Sequence, residues 1–168
     1  MKNYLKNLIW AGILVLCCFQ SVVAAEEYKN SRALRQVRVA KAYFDVTNGS
    51  PGKLVNQLGF IDKAYEQLAK AGLKPQFVLG FHSAASAYVT KGSEDYVVGE
   101  EEIAAKKKVQ TWVQRFKAKG IVMEQCMLAA EVYEIEADDI LPEIDRVKNG
   151  YVSTIGYQAK GYSLVPVN

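Results

Sequence analysis

Hydrophobic and polar positions along this chain switch repeatedly between the two-residue spacing of strands and the three-to-four-residue spacing of helices. Residues 37–46 (VRVAKAYFDV) are rich in β-branched and aromatic side chains and read as a strand. The turn NGSPG ends it, with Ser50 where an N-cap belongs and Pro51 at the first helical position. Leu54, Leu58, Ile61, Tyr65 and Leu68 then recur at spacings that share one helical face, and Gly72 stops that helix. Residues 76–81 (QFVLGF) form an apolar run suited to a buried parallel strand, and 82–90 a short helix or turn. A second long helix spans 100–119, with Ile103, Val109, Trp112 and Phe116 on its buried side. Its acidic start (Glu100 to Glu102) and basic end (Lys117, Lys119) suit the helix dipole. Residues 121–125 predict a third strand ending at Cys126. A short helix over 127–133, a short strand at 144–147, a helix over 151–160 and a strand over 162–167 complete the pattern.

Strands alternate with helices throughout, which argues for an α/β domain over residues 37–168: a mainly parallel sheet with helices on both faces. Residues 26–36 are a polar lead-in. Ahead of them, Lys2 and Lys6 precede an uncharged apolar run at 8–19, and Val23-Ala24-Ala25 offers a cleavage site. Residues 1–25 therefore predict a signal peptide and a periplasmic or secreted protein. The apolar run is shorter than the roughly 20 residues of a spanning helix, so no stable membrane anchor is expected after cleavage. Losing Lys2 and Lys6 lowers the net charge from +3 to +1, which removes the electrostatic case for nucleic acid. It also removes Cys17 and Cys18, leaving Cys126 as a lone thiol in a compartment where cysteines usually pair.

Cys126 is the first candidate for chemistry. It falls at the carboxyl end of strand three just before a helix, where sheets of this kind collect ligands and where a helix start lowers a thiol pKa. The competing reading is a buried cysteine packed as a small apolar residue. Glu124 and Glu131 would oppose a thiolate if they faced it. His82, the only histidine, ends strand two on the same predicted edge. It is either a general base or thiolate partner for Cys126, or a polar loop residue. One histidine and one cysteine are too few for a zinc site, so no metal is expected. Gly49-Ser50-Pro51-Gly52-Lys53 imitates a phosphate loop, but Leu54 stands where Ser or Thr is required. Asn48-Gly49-Ser50 is formally a glycosylation sequon.

Taken together, two sets of residues resemble the DsrE/DsrF-like family, most closely its exported branch. The C-terminal set is Cys126, Ile140-Leu141-Pro142-Glu143-Ile144, Val147, Gly150, Gln158 and Gly161-Tyr162-Ser163-Leu164-Val165-Pro166. The N-terminal set is Ala42-Tyr43-Phe44-Asp45-Val46 with Phe77-Val78-Leu79-Gly80-Phe81-His82. The resemblance implies a three-layer, flavodoxin-like α/β sandwich that assembles as a homo-oligomer, a trimer or hexamer. It implies a sulfur carrier or sulfurtransferase whose Cys126 takes sulfane sulfur as a persulfide and hands it to another thiol. His82 would assist, and backbone amides at the following helix start would stabilise the anion. No cofactor is implied, and donor and acceptor would be extracytoplasmic. Two alternatives stay open: a small-ligand-binding or assembly module in which Cys126 is structural, and a thiol redox protein forming an intermolecular disulfide.

Overall fold

The computed structural model describes residues 30–168. The chain divides into two compact units, residues 1–35 and 36–168. The described part of the first holds one short helix, α1 (Ser31–Leu34), in a stretch whose polar composition predicts irregular chain. The signal-peptide segment, residues 1–25, lies outside the described residues.

The second unit runs β1 (Val39–Val46), α2 (Pro51–Lys70), β2 (Lys74–Phe81), α3 (Glu100–Ala118), β3 (Val122–Cys126), α4 (Met127–Val132), β4 (Asp145–Val147), α5 (Gly150–Ala159), β5 (Ser163–Val167). Two 3₁₀ turns, Ser83–Val89 and Ala137–Asp139, fill the longer connections. The strands form one parallel sheet in the order β4-β3-β2-β1-β5. Right-handed crossovers dictate where the helices go. Stepping outward from β1 to β4 puts α2 and α3 on one face; the return from β4 to the far side of β1 puts α5 on the other. α2 and α3 pack on each other, whereas α5 spans β1, β2, β3 and β5 alone.

β2 starts two residues earlier than its apolar run, at Lys74, and includes Pro75. The Lys74 N–H donates to the Arg38 carbonyl, so Pro75 turns its missing donor to the opposite side. Pairing with β3 begins there only at Val78, and no ladder bond is lost. The start of α2 also differs from expectation. Ser50 occupies the N-cap position without capping through its side chain. Instead Asn48 Oδ1 accepts from the Ser50 N–H at 2.9 Å, and its Nδ2 donates to Gln57. Asn48 is buried, so the sequon side chain is committed to holding this turn.

Strand periodicity divides the sheet into two unlike faces. Ala42, Phe44 and Val46 of β1, Phe77, Leu79 and Phe81 of β2, and Met123 of β3 point to α2 and α3. There they meet Leu54, Leu58, Ile61, Val109, Val113 and Phe116 in the hydrophobic core. Fully burying each such side chain stabilises the fold by about 1.5–3 kcal/mol. The alternate residues lie under α5 and are largely polar: Tyr43, Asp45, Glu124 and, at the strand ends, His82 and Cys126. The register sets Asp45, Gly80, Glu124 and Asp145 in one row across four strands. Gly80 is required in that row, because a Cβ there would lie 1.9 Å from the Tyr43 hydroxyl oxygen.

Candidate functional site

Cys126 is the last residue of β3 and the N-cap of α4, and it is 9 % exposed. Its Sγ does not engage the start of α4, as the order of elements suggests. It accepts instead from the Gly150 N–H, at 3.1 Å, the first amide of α5. That bond joins residues 24 positions apart in the sequence, at a place where a side chain would be tightly accommodated. An added Cβ would sit 3.1 Å from the Cys126 Cβ and 3.4 Å from Sγ. Asn149 caps the same helix start, its Oδ1 accepting from the Tyr151 N–H at 2.9 Å. The sulfur therefore rests on a backbone N–H at the positive end of a ten-residue helix.

The sulfur lines a cavity of about 290 Å³ at the carboxyl edge of the sheet. Its walls include His82 and Ser83 after β2, Leu128, Val132 and Tyr133 of α4, and Tyr151 of α5. The structure thus brings His82 and Cys126 to one cavity, although no hydrogen bond joins them. His82 Nε2 is hydrogen-bonded to Asp45 Oδ1, and the ring stands edge-on to Tyr151 with centroids 6.3 Å apart. Asp45 engages Nε2, so Nδ1 is the ring nitrogen that the pair leaves free. Ser83 adopts the left-handed conformation (φ 53°), which turns the chain sharply at the cavity wall.

Behind the sulfur lies a second polar group. Glu124, two residues before Cys126 on the same face, is 7 % exposed. The Tyr157 hydroxyl donates to its Oε1 at 3.0 Å, while Oε2 is buried without a hydrogen-bond partner. Burial first, then the bond to Glu124 and its charge, raise the Tyr157 pKa well above the ordinary tyrosine range, so Tyr157 stays a donor. Tyr43 stacks on Tyr157 with centroids 5.5 Å apart, and burial raises its pKa. Glu131, by contrast, is exposed on α4. Among the described residues, no group of three or more His, Cys, Asp and Glu side chains is placed to hold a metal ion. No described helix is long and apolar enough to cross a membrane.

Asp45, Gly150 and Tyr151 complete the site and were not legible as site residues one by one. Asp45 had a signal: with Tyr43 it makes the alternate face of β1 polar, which a strand covered on both sides does not need for packing. Gly150 entered only as one of the residues carrying the resemblance, since its contact with Cys126 depends on how β4 and α5 return to the sheet.

This arrangement of sheet and helices is a flavodoxin-like, three-layer α/β fold, and solved structures share it. The protein of unknown function MTH1491 from Methanobacterium thermoautotrophicum superposes with a TM-score of 0.58 at 14 % identity, covering 77 % of this chain and 98 % of that one. The ychN protein from E. coli gives 0.54 at 14 % identity, with 76 % and 98 % covered. At that identity the likeness is one of fold. No protein-family model matches the chain, and no curated protein matches it in sequence.

Proposed function

We propose that this domain carries or transfers sulfane sulfur as a persulfide on Cys126, as an exported protein of sulfur metabolism. The observation that carries the reading is the Cys126 sulfur at a cavity wall, held on the Gly150 amide, with an Asp45-oriented imidazole on the same cavity. The Cys126 thiolate attacks the outer sulfur of a donor R–S–SH. The donor S–S bond breaks, R–S⁻ leaves, and Cys126–S–SH forms without net oxidation. An acceptor thiolate then attacks the terminal sulfur and regenerates the Cys126 thiolate. His82 takes or returns the proton, and the Gly150 N–H stabilises the anionic sulfur at each stage.

A second reading, a binding or assembly module with Cys126 structural, is favoured by one observation: the cavity wall from α4 is apolar, and the thiol is nine-tenths buried. Homo-oligomer formation, as a trimer or hexamer, belongs to the proposal under either reading. It is supported by exposed Leu128, Val132 and Tyr133 on α4 and Tyr151, Val152 and Ile155 on α5.

Intact-mass spectrometry of the exported chain, treated with polysulfide beside Cys126→Ser, tests the function and the compartment together. The expected mass begins at Glu26, and it gains whole sulfur atoms that reductant removes and Cys126→Ser lacks. A chain that gains none, with its thiol closed to alkylation, leaves the binding-module reading. A chain that keeps residues 1–25 overturns the proposed export route.

A further inference from the structure

The cavity that Cys126 lines is walled mostly by apolar groups. Leu128, Ala129 and Val132 come from α4, Tyr133 follows them, and Tyr151 comes from α5. At about 290 Å³ it is small for a ligand site, since such cavities run from roughly 300 to 1,000 Å³. Its polar groups offer an incoming anion little. His82 is hydrogen-bonded to the Asp45 carboxyl group, so that pair presents no net positive charge. At the start of α5 the amides are already engaged: Gly150 donates to the sulfur, Tyr151 to Asn149 Oδ1, and Val152 and Ser153 to the Asn149 carbonyl. Among the described residues no lysine or arginine lines this cavity; Lys148 lines an adjoining hollow that shares Leu128 and Asn149 with it. A carboxylate or thiosulfate entering here would give up hydration without gaining a cation, which is costly. Divalent sulfur on an apolar group is polarizable instead, and it gains by contact with aromatic edges such as those of Tyr133 and Tyr151.

Resting on the persulfide reading of Cys126, we propose that its sulfur donor is a small hydropersulfide R–S–SH in which R is uncharged and apolar, an alkyl or aryl group. R lies against Leu128, Val132 and the two tyrosines, which brings the outer sulfur to Cys126. The Cys126 thiolate attacks that outer sulfur, the donor S–S bond breaks, Cys126–S–SH forms, and R–S⁻ leaves with the electron pair. No oxidant or reductant is consumed. The wall thus selects among sulfur donors by charge, and anionic carriers such as thiosulfate or a carboxylate-bearing peptide persulfide are poor ones.

The test uses a matched pair of donors, benzyl hydropersulfide and its para-carboxybenzyl analogue, which differ by one carboxylate. Uptake of one sulfur atom by the exported chain is followed by intact mass, with the Cys126→Ser signal subtracted. Each rate is divided by the same donor's rate toward 2-mercaptoethanol, which removes intrinsic reactivity. The benzyl donor is expected to be about tenfold faster or more. If α4 and α5 also pair with a second copy, both donors meet the same mouth, so the ratio still reads the wall. Equal normalised rates overturn the apolar donor and leave the sulfur carrier standing. A faster carboxylate donor also overturns it and points to Lys148. Uptake from neither donor sinks the persulfide reading, and the donor class falls with it. Leu128→Lys and Val132→Lys, both at exposed positions, place a cation on the wall and are expected to bring the ratio toward one. A ratio unchanged in both, with circular dichroism like that of the wild type, overturns this wall as the source of the selection.

Discussion

At Cys126, the sulfur is held by a hydrogen bond from a residue far along the chain. A methyl group at position 150 has room only if the thiol yields by a few tenths of an ångström. Gly150→Ala is therefore expected to cost about 1 kcal/mol of stability and to slow sulfur uptake severalfold. Urea unfolding and uptake rate, measured on the same preparation, check both. Uptake at the wild-type rate would mean that the Gly150 amide does not hold the reacting sulfur. His82 and Cys126 were legible as candidates because both fall at strand ends. Their separate hydrogen-bond partners, Asp45 and Gly150, decide what each can do, and neither partner is a sequence neighbour.

Between elements, the contact of α2 with α3 is sealed at the solvent edge by ions. Asp62 of α2 is buried and accepts from Lys119 at 2.5 Å and from Arg115 Nε at 3.0 Å, while both cations also reach Glu66. Burial pushes the Asp62 carboxyl up, but Lys119 and Arg115 outweigh it and hold the pKa below the ordinary range. A carboxyl whose pKa is lower folded than unfolded contributes stability above the unfolded value, and that stability is lost as pH falls through the folded value. Urea midpoints are thus expected to decline from about pH 5 downward. Asp62→Asn should be weaker at neutral pH and flatter in that acid range; equal slopes in both proteins would remove Asp62 from the acid response. The helices bearing this network were readable from the spacing of Leu54, Leu58, Ile61 and Val109, Phe116. The ion pairs were not, because Asp62 and Lys119 meet only once the helices lie side by side.

At the scale of the domain, α5 is the one helix among the described residues that covers the second face of the sheet, and its outer side is apolar. Val132 at 78 % and Ile155 at 67 % exposure border the cavity that Cys126 lines or flank its helices. We propose this apolar surface as the homo-oligomer interface. A second copy of the chain is the occupant proposed, so Ile155→Asp is expected to shift the protein to a smaller species by multi-angle light scattering. A wild type that runs as a monomer at all concentrations would contradict it.

The succession of periods in the chain was enough to determine the α/β class, the order of elements, the inward faces of α2 and α3, and the placing of His82 and Cys126 at one edge. Each of these follows from local spacing: a strand alternates, a helix repeats every three to four residues, and parallel strands must carry their helices outside. Tertiary structure alone decided that the sheet runs β4-β3-β2-β1-β5 and that α5 returns over β3. It also decided that Asp45, Glu124 and Asp145 fall in one row, and that Gly150 donates to the sulfur. Those are matters of register and return path, which long-range packing selects and local spacing does not encode.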